Sequence, residues 1–133
     1  MAKYVYPAIF TPENAGMYSV VFPDIESCYT QGDNLTDAYE MAEDILCLCL
    51  YNLEQEGKAI PDAIDMQHIH CDAGSFVSLV SADTIEYRRF YDNKAVKKTL
   101  TIPSWLNDMA EKQDINFSFV LQKALKEELS IAE

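Results

Sequence analysis

Val96-Lys97-Lys98-Thr99-Leu100-Thr101-Ile102-Pro103 runs directly into Ser104-Trp105-Leu106-Asn107-Asp108-Met109-Ala110, and Asn116-Phe117-Ser118-Phe119-Val120-Leu121 follows soon after. The first stretch alternates in polarity and is closed by proline, the pattern of a short strand. The next two predict helices, one from about Ser104 to Gln113 and one from about Phe117 to Leu129. Leu106, Met109 and Ala110 share a face of the first, and Phe117, Val120, Leu121, Ala124 and Leu125 a face of the second. A strand and two short helices cannot bury enough apolar surface to fold alone. Pairing with a second copy solves this: two strands form an antiparallel ribbon and four helices interlock beneath it. Leu100 and Ile102 then enter the dimer core with Leu106, Val120, Leu121 and Leu125, while Lys97, Thr99 and Thr101 project from the ribbon. Such a ribbon fits the major groove of double-stranded DNA, where Lys reads guanine O6 and N7 and Thr reads either edge group. Asn116 can cap the second helix, with Ser118 beside it, leaving first-turn N–H groups suited to a DNA phosphate.

Upstream of this segment the pattern changes. Lys3–Phe10 is aromatic and β-branched and predicts a strand, Thr11–Gly16 a turn, and Met17–Phe22 a second strand that completes a hairpin. Cys28–Gln31 predicts a short third strand and Gly32-Asp33-Asn34 a turn. A long helix follows from about Thr36 to Glu56, with Ala38, Met41, Ala42, Ile45, Cys49 and Leu53 on its apolar stripe. Gly57 ends it and Pro61 prevents its resumption. Ile60–Gly74 is rich in turn residues, Ser75–Val80 alternates as a half-buried strand, and Ile85–Tyr91 is a connection that begins as a helix. The order β-β-β-α-β, then β-α-α, gives an α+β chain of two domains, residues 1–92 and 93–133.

Charge divides along the same line. Residues 1–94 carry 16 acidic and 5 basic side chains, and residues 95–133 carry 6 and 5. The first part repels nucleic acid and attracts a basic surface, whereas the second is far less hostile to a polyanion. At 49% apolar the chain can bury a core. No apolar run reaches the roughly 20 residues of a membrane helix, and the first residues lack the apolar stretch of a secretory signal, so a cytoplasmic protein with no membrane association is expected. Cys28, Cys47, Cys49 and Cys71 are then expected as free thiols, with Cys47 and Cys49 as small core residues.

The segment Lys98-Thr99-Leu100-Thr101-Ile102-Pro103, the Leu106/Met109/Ala110 face and Ile115-Asn116-Phe117-Ser118 resemble the ribbon-helix-helix repressors over residues 96–129. Asp114 departs from the glycine usual in the turn between that family's helices. In the first domain, Tyr4-x-Tyr6-Pro7-Ala8-x-Phe10, Gly16-x-Tyr18-Ser19-Val20-x-Phe22-Pro23-Asp24-Ile25 and Cys28-x-Thr30-x-Gly32-Asp33, followed by a helix with Ala38 and Ala42, look like the HicB antitoxins. That resemblance implies a partial RNase H-like N-terminal domain that binds HicA, a small basic mRNA-cleaving toxin, and a C-terminal module that dimerises, binds operator DNA and represses the operon. Homodimers, or a higher oligomer, are implied. The carboxylates of Asp24 and Glu26, and of Asp37, Glu40, Glu43 and Asp44 along the long helix, are candidates for the toxin contact. Exposed charges of this kind tune association rate, while apolar anchors hold a complex.

Other constellations carry less. Asp24, Asp33 and Glu40 are of the right type for two-metal hydrolysis, but the spacing gives no sign of convergence, and no catalytic residue is expected. His68-x-His70-Cys71, in what reads as an edge strand, lacks a second ligand cluster at zinc-site spacing, so no metal or cofactor is expected. Trp105, the only tryptophan, reads as a core residue. The competing function is a free-standing ribbon-helix-helix repressor whose N-terminal domain senses a small molecule or a metal.

Overall fold

In the computed structural model, which describes residues 3–131, the chain forms two compact units, residues 1–94 and 95–133. The first unit holds β1 (Lys3–Pro12), β2 (Tyr18–Val21), β3 (Tyr29–Gly32), α1 (Leu35–Gln55), β4 (Phe76–Asp83) and α2 (Thr84–Tyr91). The four strands make one antiparallel sheet in the order β3-β2-β1-β4. Strand alternation sends Tyr6, Ala8 and Phe10 of β1, Val20 of β2, and Val80 and Ala82 of β4 to one face, where α1 covers them. From α1 the buried side chains are Ala38, Ala42, Leu46 and Leu50, spaced by four, and burying each leucine contributes roughly 1.5–3 kcal/mol.

The buried line keeps Ala38 and Ala42 of the expected stripe but turns toward Leu46 and Leu50, about 50° around the helix from where the apolar spacing puts it at 100° per residue. Met41 is exposed, and Ile45, Cys49 and Leu53 only flank the core. The ambiguity arises because α1 is apolar over more than half its circumference through Ile45–Leu50, so the position of the sheet selects the buried line. Cys28 lies in the core, Cys47 and Cys49 flank it, and all four thiols are free. Burial, with the Cys49 thiol alongside, holds Cys28 far above the usual thiol range, so it stays protonated and inert.

The start of α1 is fixed by reciprocal bonds. Asn34 Oδ1 accepts from the Asp37 N–H at 2.9 Å, and Asp37 Oδ2 accepts from the Asp33 N–H at 2.8 Å. At its other end Gly57 takes φ +67°, with Lys58 N–H bonded to Leu53 C=O and Gly57 N–H to Glu54 C=O, the Schellman ending that favours glycine. The segment between α1 and β4 carries only one short helical turn, Met66–His68. It is tied down where the Tyr6 hydroxyl donates to the Pro61 carbonyl, where the Ile64 N–H donates to Asp24 Oδ1, and where the hydroxyls of Thr11 and Ser75 meet at 2.9 Å. The edge strand expected around His68 and His70 is not formed: the alternation there is too short, and β4 begins only at Phe76.

Glu54 joins three elements. Its carboxylate accepts from Tyr4 of β1 at 2.9 Å, Thr84 of α2 at 3.0 Å and Arg88 of α2 at 3.1 Å. Burial, and then the hydrogen bond to the Glu54 carboxylate, raise the Tyr4 phenol from 10.0 to about 12. Because the folded state holds this proton more tightly than the unfolded chain, the contribution is complete below pH 10 and is lost as pH rises toward 12. Melting temperature is accordingly expected to fall across that window, and Tyr4→Phe to flatten the fall. An unchanged alkaline slope in Tyr4→Phe would show that the Tyr4–Glu54 bond does not couple to stability.

The second unit contains α3 (Ser104–Lys112) and α4 (Phe117–Glu128), close to the expected bounds. The expected strand over 96–102 is absent: in the single chain these residues pair with no other strand among the described residues. The physical reason is that a strand exists only as part of a hydrogen-bonded ladder, and among the described residues these have no ladder partner. Trp105 is likewise not a core residue in the single chain but 63% exposed.

Candidate interaction surfaces

The second unit is the one without an interior of its own. None of its described residues is buried, and twelve of its large apolar side chains are exposed, from Val96 to Leu129. Of the six side chains expected in a dimer core, Leu100, Ile102, Leu106, Val120 and Leu125 are exposed and Leu121 is half-buried. So many exposed large apolar side chains in one small unit are more than the scattered surface hydrophobics of an ordinary monomer. Lys97, Thr99 and Thr101 stand exposed on the extended segment before α3.

The turn between the two helices is built locally. Asp114 takes φ +52°, with its N–H bonded to Glu111 C=O and the Ile115 N–H to Ala110 C=O, so an aspartate fills the left-handed position that glycine suits best. Asn116 then caps α4, its Oδ1 accepting from the Phe119 N–H at 3.0 Å. The N–H groups of Phe117 and Ser118 are left in the first turn, where a helix has no internal acceptor for them. Asn116 and Ser118 are thereby placed together at one helix start, as their sequence pattern suggests.

On the first unit, the six candidate carboxylates separate into two kinds. Asp24 is bonded to the Ile64 N–H and Asp37 to the Asp33 N–H, so both already hold loops in place. Glu26 is exposed after β2, while Glu40, Glu43 and Asp44 lie together on one side of α1. Beside Glu43 and Asp44 the fold brings Asp83, Glu86, Tyr87 and Tyr91, which sequence reasoning did not single out. Their signal was present: Asp83-Thr84-Ile85-Glu86 is a helix-start pattern, and Asp83 does cap α2 by accepting from the N–H groups of Ile85 and Glu86. Asp24, Asp33 and Glu40 are not gathered into one site, and among the described residues no group of three or more His, Cys, Asp or Glu side chains is placed to hold a metal ion. Among these residues no helix is long and apolar enough to cross a membrane.

The arrangement, an acidic sheet-and-helix unit followed by an unpartnered helical pair, has a counterpart among known proteins. The sequence profile of the HicB-like antitoxins of bacterial toxin-antitoxin systems matches residues 6–124, spanning both units. The chain belongs to this family. Antitoxin HicB 1 of Photorhabdus laumondii is 28% identical over an alignment of 124 residues that covers 91% of this chain and 74% of that protein. Among solved structures, a toxin-antitoxin complex from Streptococcus pneumoniae aligns with this HicB-like chain at a TM-score of 0.62 and 27% identity, covering 95% of this chain and 99% of the other. The Burkholderia pseudomallei antitoxin HicB shares the fold at a TM-score of 0.55 and 19% identity, covering 95% and 98%.

Proposed function

We propose that this antitoxin neutralises a small basic mRNA-cleaving toxin of the HicA type and, as a dimer joined through residues 93–133, represses its own operon from the major groove. It acts in the cytoplasm without catalysis of its own, its first unit being a truncated RNase H-type sheet used as a binding platform. The observation that carries the reading is the pairing of two unlike units in one HicB-like chain. One holds 16 acidic against 5 basic residues around a complete core, and the other keeps no residue buried. A strongly acidic platform suits a toxin that grips RNA phosphates. An incomplete helical pair preceded by Lys97, Thr99 and Thr101 suits a two-fold ribbon on a palindromic operator.

The test is co-purification with the product of a short, basic open reading frame beside this gene, followed by binding of the complex to the upstream promoter DNA. Capture without promoter binding would leave an antitoxin that is not a repressor, and promoter binding without capture would leave the sensor-repressor alternative. Thr99→Ala with Thr101→Ala removes four side chains from the two-fold ribbon. At about 1–3 kcal/mol for a good base contact, operator affinity is expected to fall at least 100-fold, while non-specific binding, dimerisation and toxin capture stay unchanged. Fluorescence anisotropy with operator and scrambled duplexes reads both, and unaltered operator affinity would remove these threonines from the interface.

A further inference from the structure

The sheet of the first unit ends in β4, and no described strand pairs with its outer edge. The strand is eight residues long and carries no lysine, no proline and no charge before Asp83. Edge strands are ordinarily blunted by those very features, and a long uncharged edge is a template for another strand. The direction of its open groups follows from its partner. Pro7 lies opposite Leu79, and proline has no N–H to give, so this position is a non-bonded pair of the ladder. Leu79 thus turns its N–H and C=O away from β1, as do Val77 and Ser81 at the same parity. The Leu79 carbonyl makes no ladder bond to β1; it takes two long hydroxyl bonds, from Tyr39 at 3.3 Å and Ser78 at 3.4 Å, which an incoming strand N–H would share or displace.

Next to β4 lie two hollows of roughly 530 and 760 Å3, the first between the sheet and α1, the second among β1, β4, α1 and α2; Glu43 lines both. Glu40 and Glu43 wall the first, with Tyr39 and Phe76. Glu43, Asp44, Asp83 and Glu86 wall the second, with Tyr87 and Tyr91, and Lys3 is the one cation among its lining residues. Glu40, Glu43 and Asp44 belong to none of the ion pairs of the described residues.

We infer that an extended cationic segment of a protein partner lies along this cleft as a fifth strand. Its backbone pairs with Val77, Leu79 and Ser81, and its Lys or Arg side chains face the carboxylates and stack on the tyrosines. A second copy of this acidic unit would bring like charge to the same cleft, and nucleic acid would bring phosphate. The inference deepens the proposed function and rests on it for the partner's identity, which is the basic toxin. Of the six carboxylates expected at the contact, it keeps Glu40, Glu43 and Asp44 and leaves out Asp24, Glu26 and Asp37.

The experiment takes the full chain with two probes, acetyl-(Val-Arg)4-amide and acetyl-(Val-Glu)4-amide, and follows amide exchange by NMR. The arginine peptide is expected to bind, to slow exchange at Val77, Leu79 and Ser81 at least tenfold, and to weaken with added salt. The glutamate peptide is expected not to bind. Glu43→Lys with Asp44→Lys should weaken binding at least tenfold. Leu79→Pro, which deletes only an outward N–H, should do the same without disturbing the β1 ladder. No binding of the arginine peptide, or equal binding by both variants, overturns the proposal. Protection of the three amides in the peptide-free chain overturns it too, by assigning the edge to a second copy. Capture of the neighbouring gene product separates the two readings. Peptide binding without capture keeps the cleft and removes the antitoxin partner, whereas capture unaffected by the variants keeps the partner and removes the cleft.

Discussion

Leu100→Asp is expected to leave the chain monomeric at micromolar concentration and unable to bind its operator. In the single chain Leu100 is 56% exposed, so the substitution costs the monomer little. In the proposed dimer it sits at the inner face of the ribbon, twice, and each copy would bury a carboxylate with no cation to meet it. The effective penalty is several kcal/mol per ion, and each 1.4 kcal/mol is a factor of about ten. Dimerisation is therefore expected to weaken at least ~1000-fold. Operator affinity falls with it, since only the dimer presents two strands. Light scattering after size exclusion measures the first effect and anisotropy the second. The first unit, with its own core, should melt as before and still capture the toxin. A variant that remains dimeric would place Leu100 outside the interface and reverse the assignment of Lys97, Thr99 and Thr101 to the outer face.

Gly32→Ala is expected to damage the first unit more than its size suggests. Gly32 ends β3 where the strand lies directly against the first turn of α1. A Cβ there would stand 2.3 Å from the Ala38 nitrogen, 2.4 Å from its Cα and 2.8 Å from the Asp37 carbonyl carbon. All three are backbone atoms of a helix capped by Asn34 and packed through Ala38 and Ala42, so no side chain can rotate aside. Either α1 or β3 must move, and overpacking of a core costs about 1–3 kcal/mol, more where backbone must shift. A loss of about 3 kcal/mol or more corresponds to a melting temperature lower by roughly 12–24 °C for a unit of this size. Gly57→Ala is the useful contrast, because nothing lies within 4 Å of its added Cβ and its cost comes from φ +67° alone. If calorimetry finds Gly32→Ala no worse than Gly57→Ala, the close approach of β3 and α1 is wrong.

The same glycine shows where sequence reading stops. Gly32-Asp33-Asn34 reads as a turn from composition, and the chain does turn there. The reason this particular residue lacks a side chain is the helix backbone pressed on it, six positions further along. Strands and helices that depend on local pattern were legible: the hairpin of β1 and β2, α1 with its Gly57 stop, and α3 and α4 with the Asn116 cap between them; the Asn34 cap of α1, read only as part of a turn, was not. The family was legible too, because its motifs fall on those local features. Met41 and Trp105 were misplaced, since an apolar residue on a helix declares that it can be buried but not against what.

Local chemistry within the sequence determined the type and order of the elements that did form, from β1 to α4, and the split between an acidic part and a near-neutral one. Those follow from φ/ψ preference, hydrophobic period and charge, which act over a few residues. Only the tertiary structure decided which line of α1 meets the sheet, that β4 is left at the open edge, and that Glu43 and Asp44 share a cleft with Asp83 and Glu86, some forty positions away. Those outcomes depend on how strands order themselves across space, and residues far apart in the chain carry no mark of becoming neighbours.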